Sequence, residues 1–185
     1  MVTTASALEV PSRDEIIRLL LETGAVRFGD FTLSSGGKSD TYIDVKKAWP
    51  DPHRLSVLAR GLAARVGPDE RLAGMELGAV PLVVAVALQL GRPYAVLRKA
   101  AKEHGTRQAF EGEIPAGARF LVIEDVNTTE ASILRSIEIV RAAGGVVDRA
   151  LCVVDREEGA VEKLATVGVR LESLVTFSEL RSYRT

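Results

Sequence analysis

The sequence predicts an α/β protein, a Rossmann-like parallel sheet flanked by helices, and three observations point there. From residue 53 onward the patterns run helix, strand, helix, strand, strand, helix, strand, helix, strand, the alternation that builds parallel sheets. Several strand candidates, FLVIEDV (120–126) and VVDRALCVVD (146–155) among them, carry apolar runs rich in Val and Leu, as suits strands covered on both faces. Three polar clusters, at residues 78–81, 124–132 and 155–156, each follow a strand. They fall on the carboxyl edge, where open α/β sheets bind ligands.

Each element has a local reason. Ser12 and Glu15 form a capping-box pattern ahead of RDEIIRLLLETG, and Gly24 stops that helix. Residues 26–33 and 41–46 alternate enough for two short strands, joined by SSGGKSD (34–40). Residues 53–66 place Leu55, Leu58, Leu62 and Val66 on one helical face. LAGMEL (72–77) predicts a strand, GAVP turns into a helix over 81–90, and PYAVL (93–97) is a strand. A long polar stretch, 98–118, follows without a regular period. After the strand at 120–126, residues 131–143 carry Ile133, Ile137 and Val140 in helical register. The strand at 146–155, a helix over 158–168 and a strand over 169–176 complete the series.

A chain of 185 residues is long enough for one domain with a sizeable core. A formal net charge of −1 gives no electrostatic ground for a nucleic-acid or membrane partner. Cys152, the single cysteine, lies in the apolar run ALCVV and has no internal disulfide partner, which fits a reducing, cytoplasmic setting. No signal-peptide pattern opens the chain, and the longest apolar stretch, VPLVVAVALQL (80–90), is too short to span a bilayer.

The chemistry concentrates in LVIEDVNTTEAS (121–132). A buried strand ends in Glu124 and Asp125, and NTTEAS must then turn and begin a helix. Thr128, Thr129 and Ser132 supply hydroxyl donors, and the free N–H groups of a helix start form a phosphate site. Two carboxylates beside such a site suit vicinal sugar hydroxyls. The pattern therefore points to a ribose phosphate. Adjacent strand residues project to opposite sides, so one acid is expected to face the ligand and the other the backbone or a metal.

This stretch resembles the phosphoribosyl pyrophosphate (PRPP) motif of type I phosphoribosyltransferases. RKAAKEHGT (98–106) resembles the mobile loop of the orotate phosphoribosyltransferases, FTLSSGGKSDTYID (31–44) is similar to their N-terminal signature, VVDREEGA (153–160) to the segment carrying their orotate-binding Arg, and GAVPL (78–82) to their pyrophosphate-side turn. The resemblance covers about residues 12–180. It implies one domain over 1–185, with a small hood from roughly 1–50 plus C-terminal elements and a core over roughly 51–176. It also implies a transferase that moves ribose 5-phosphate from PRPP to orotate in pyrimidine biosynthesis. A Mg²⁺ ion would be held mainly by PRPP, with Asp125 as a possible further ligand.

By the same resemblance, Lys102 is the main catalytic-loop cation and Asp125 its catalytic counterpart on the ribose. PRPP binding falls to Arg98, Lys99, Lys102, His104, Glu124, Asp125, Val126, Asn127, Thr128, Thr129, Glu130, Ala131 and Ser132. Gly78 and Ala79 form the pyrophosphate-side turn. Thr128, Arg156, Tyr42 and Ile43 are the orotate contacts, Arg156 through its fit to a carboxylate. The expected assembly is a homodimer whose 98–112 loop reaches the neighbouring site.

Two residues depart from the pattern. Glu130 stands where relatives carry Gly or another small residue, and Ser34 stands where many carry a basic one. A carboxylate ~6 Å from a phosphate charge costs roughly 0.7 kcal/mol per unit charge at water-like screening. Glu130 is therefore expected to face solvent. Lys38 is the nearest replacement for the cation missing at 34. The alternatives are a PRPP-binding regulatory protein or a catalytically weakened homologue, which the departures favour, or a transferase for another base.

Overall fold

A computed structural model describes residues 9–32, 36–100, 109–127 and 130–184. The chain opens with helix α1 (Arg13–Glu22), capped by Ser12, whose Oγ accepts the Glu15 N–H at 3.1 Å. Strands β1 (Val26–Thr32) and β2 (Lys38–Ile43) then pair antiparallel as a two-stranded ribbon. A 3₁₀ turn at Val45–Lys47 leads to α2 (Pro52–Ala63), capped by Asp51 with Pro52 in its first turn.

The remaining elements are β3 (Arg71–Met75), α3 (Val80–Leu90), β4 (Tyr94–Leu97), β5 (Phe110–Glu111), β6 (Arg119–Asn127), α4 (Glu130–Ala142), β7 (Val146–Asp155), α5 (Ala160–Thr166), β8 (Arg170–Thr176) and α6 (Phe177–Arg181). Their sheet has the order β5-β4-β3-β6-β7-β8. Every pairing is parallel except that of β5 on β4. The strand order reverses between β3 and β6, the kind of switch point at which α/β sheets open a crevice.

The sheet separates two apolar layers. On one face Leu72, Leu121, Ile123, Leu151 and Val153 pack with α1, α2 and α3. On the other, Ala73, Phe120, Val122 and Cys152 pack with Ile133, Ile137 and Val140 of α4 and Leu164 of α5. The strands are thus buried on both sides, which is why they read as apolar runs. Gly74 permits the tight seat of α3: a Cβ there would lie 2.6 Å from Val83 Cγ2.

The structure corrects several boundaries. β2 covers 38–43 rather than 41–46, because the chain folds into the 3₁₀ turn from Val45. β3 ends at Met75, since Glu76 and Leu77 already belong to the turn into α3. α2 stops at Ala63, three residues short of the expected 66. Two short elements were not anticipated. β5 is only two residues long, and α6 hides behind the capping box of Thr176 and Glu179. Among the described residues no helix is long and apolar enough to cross a membrane.

Candidate active site

The switch point holds a cavity of about 430 Å³. Its wall includes Glu124, Asp125 and Val126 from the end of β6 and Ser132 from α4. Glu76, Leu77 and Gly78 from the turn after β3, with Lys99 and Lys46, complete the facing sides.

Both acids reach this cavity. The cavity lies off the end of β6 and receives side chains from both faces of the strand. Glu124 points to the α4 side, where Ser132 Oγ donates to its Oε2 at 2.8 Å. Asp125 points to the opposite side, towards Gly78 and Lys46. Gly78 is required there: a Cβ would sit 2.6 Å from Asp125 Cγ. Asp125 Oδ1 also accepts the Val126 N–H at 2.8 Å, which fixes its carboxylate plane.

Glu124 is 5% exposed. Burial, reinforced by the neighbouring charge of Asp125, pushes its carboxyl up to about 8, against the opposing hydrogen bond from Ser132. Glu124 thus favours its protonated form, in which the acid can both donate to and accept from a hydroxylated ligand.

The facing cations sit on separate elements. Lys46, in the 3₁₀ turn, places Nζ 2.6 Å from Asp44 Oδ1 and 4.0 Å from Asp125 Oδ2. Lys99 donates its backbone N–H to Glu76 Oε1 at 2.9 Å. Arg98 lies beside it but pairs with Glu111 at 2.6 Å, outside the cavity wall. Lys46 escaped the sequence reading, since it lies in VKK with no motif around it. Its signal was only that it follows the Tyr-Ile-Asp of the ribbon. Lys38, by contrast, is exposed at the start of β2 and is not part of the wall.

Ala79 is buried at the start of α3, and Ala131 is exposed on α4. Tyr42 stacks at 5.7 Å on Phe31 and lies 5.0 Å beneath the Arg27 guanidinium, while Ile43 packs against the core. Arg156 follows β7, one strand over from β6. Asn127, Asp155 and Thr176 are paired in register at the ends of the three adjacent strands. The Arg156 guanidinium pairs with Glu158 at 2.8 Å. Lys102, His104, Thr128, Thr129 and Ser34 lie outside the described residues, as do the side chains of Asn127 and Glu130.

The chain is similar to known proteins over most of its length. Residues 68–178 match the phosphoribosyl transferase domain. The orotate phosphoribosyltransferase of Natronomonas pharaonis is 47% identical over 173 residues, covering 94% of this chain and 99% of that relative. The chain belongs to the orotate phosphoribosyltransferases. The relative of the same name from Methanocaldococcus jannaschii is 42% identical, over 92% of this chain and 97% of its own length.

Among solved structures, the orotate phosphoribosyltransferase of Aeropyrum pernix superposes with a TM-score of 0.80 at 40% identity, covering 90% of this chain and 96% of that one. The Mycobacterium tuberculosis orotate phosphoribosyltransferase in complex with PRPP superposes with a TM-score of 0.74 at 32% identity, covering 92% and 99% of the two chains. As in these orotate phosphoribosyltransferases, a sheet dominated by parallel strands and flanked by helices forms the body.

Proposed function

We propose that this protein transfers ribose 5-phosphate from PRPP to orotate, giving orotidine 5′-monophosphate and pyrophosphate in pyrimidine biosynthesis. One observation carries the reading. Glu124, Asp125 and Ser132 of the acid–threonine turn line a single cavity at the sheet's switch point, facing the Gly78 turn and Lys46. In the reaction the C1–O bond of PRPP breaks and pyrophosphate leaves with the bonding pair. The orotate N1, having given up its proton, supplies the pair for the new bond to C1. Positive charge builds on the ribose, where Glu124 and Asp125 hydrogen-bond its hydroxyls and the Asp125 carboxylate stabilises that charge.

Pyrophosphate needs cations. Lys46 and Lys99 stand on the cavity wall, and by resemblance Lys102 and His104 join them from the 98–112 loop. Mg²⁺ belongs to the same proposal. Among the described residues no three His, Cys, Asp or Glu side chains converge on a metal position. PRPP oxygens would hold most of the ion, and among the described residues Asp125 would be its ligand from the chain. When bound, the ion neutralises the leaving pyrophosphate. Arg156 is assigned to the orotate carboxylate, with Tyr42 and Ile43 as the apolar wall over the ring.

The proposal extends to the whole assembly. The chain acts as one domain in the cytoplasm, with the β1–β2 ribbon and α6 as the hood. It works as a homodimer whose 98–112 loop reaches the neighbouring site. A stripe along α3 supports the dimer: Pro81, Val84 and Leu88 follow at helical spacing, and Leu88 is 80% exposed. The test is loss of orotate absorbance with PRPP and Mg²⁺, using Lys102→Ala as control. PRPP-dependent loss that the variant largely abolishes is the expected result. PRPP binding without orotate turnover would overturn the reading.

A further inference from the structure

Asp155 ends β7, and the chain then runs Arg156, Glu157, Glu158 before Gly159 leads into α5. Among the described residues Glu157 is the only non-glycine with positive φ, 58°. A residue with a Cβ disfavours that conformation unless its surroundings impose it. Here they do so from both sides. The Glu157 N–H donates to Asp155 Oδ1 at 3.0 Å, and Asp155 itself is 6% exposed. The Glu157 carboxylate reaches away to α6, where Oε2 accepts the Ser178 N–H at 2.7 Å and the Ser178 hydroxyl at 2.5 Å.

α6 is in turn fastened to the ribbon. Arg181 and Arg184 lie 3.6 and 3.1 Å from Asp40 Oδ2 on β2, two residues before Tyr42. Arg184 also covers Phe28 of β1 at 5.6 Å. One short helix thus holds the peptide that presents Arg156 and the strand that presents Tyr42.

We propose that Glu157 is a positioning residue for the base substrate: clasped to Ser178, it sets the backbone from which Arg156 meets the orotate carboxylate. The inference rests on the reading of Arg156 given above. Bidentate recognition of a carboxylate depends on the angle of the guanidinium plane, so a relaxed Arg156 peptide weakens orotate while leaving PRPP, held by the β6 turn, untouched. Gln at 157 keeps a carbonyl oxygen for the two Ser178 donors, whereas Ala keeps neither contact.

The experiment is steady-state kinetics with orotate and PRPP varied separately, alongside thermal melts, for Glu157→Ala, Glu157→Gln, Ser178→Ala and Arg156→Ala. The expected result is a rise of about tenfold in the orotate KM for Glu157→Ala, and a smaller rise for Ser178→Ala. Glu157→Gln should stay near the parent, and the PRPP KM should not move in any of the three. Equal rises in both KM values, or a lowered melting temperature with an unchanged orotate KM, would overturn the positioning role. If Arg156→Ala raises the orotate KM and Glu157→Ala does not, this inference alone fails. If Arg156→Ala leaves the orotate KM unchanged, the assignment of Arg156 falls and the inference falls with it.

Discussion

Lys46 Nζ and Asp125 Oδ2 lie 4.0 Å apart, bringing a cation from the ribbon's 3₁₀ turn to the strand-end acid of the main sheet. The lysine side chain is 49% exposed, so the pair contributes no more than about 1 kcal/mol to stability. Its larger effect falls on an incoming polyanion, which otherwise meets the Asp125 carboxylate first. Lys46→Ala should therefore weaken PRPP binding about tenfold while the melting temperature barely moves. Calorimetric titration with PRPP at low and high salt checks this, and the defect should shrink as salt rises.

Glu124 makes stability depend on pH. Its folded value of about 8 lies above the ordinary 4.5, so the fold favours the protonated acid. The associated stability is fully present below the ordinary value. It is lost as pH climbs towards the folded one, with a slope of at most roughly 1.4 kcal/mol per pH unit. Glu124→Gln should flatten that slope, because an amide keeps the Ser132 contact without a charge to bury. Urea midpoints of the two proteins between about pH 5 and pH 8 decide the matter, and parallel curves would refute it.

Gly78 leaves no room for a side chain beside Asp125. Gly78→Ala should push the carboxylate off its position and lower kcat/KM by about tenfold or more, since small misplacements are amplified at a reacting centre. The rest of the fold should hold. A kcat/KM within twofold of the parent would show that Asp125 has another productive seat.

Arg149 ties the opposite end of the sheet together. Its Nη1 contacts both oxygens of the Glu70 carboxylate at 2.9 Å, and its Nη2 reaches Glu172 Oε1 and the Arg65 carbonyl, each at 3.0 Å. Glu70 is 5% exposed. Arg149→Met strands a buried carboxylate and should destabilise the protein by about 3–5 kcal/mol, with the substrate KM values unchanged. Adding Glu70→Gln to that variant should recover part of the loss in a urea titration.

The helix–strand alternation and the acid–threonine turn were legible in the sequence because each rests on neighbours in the chain. Period and composition announce β6 and β7, and the acids of LVIEDV stand near the carboxyl end of β6. What was not legible depends on residues far apart in sequence. Lys46 is a site cation only because the 3₁₀ turn swings it to Asp125, 79 positions on by chain number. Arg149 and Glu70 look like surface charges in the sequence, yet they meet at 2.9 Å beside the Arg65 carbonyl that follows α2. That both acids reach one cavity follows from where β6 ends, which strand alternation does not specify. α6 was signalled by T-x-x-E at Thr176 and Glu179, a cap too short to carry a helical period.

The Arg149 cluster stands near the amino ends of β3, β7 and β8, and the cavity opens at the carboxyl ends. Cohesion and chemistry are thus assigned to opposite rims of the same sheet. Substitutions in the turns after β3, β6 and β7 can accumulate without loosening the charged fastening below. Such a division separates the residues assigned to the base, Arg156 and the ribbon, from those that fasten the sheet.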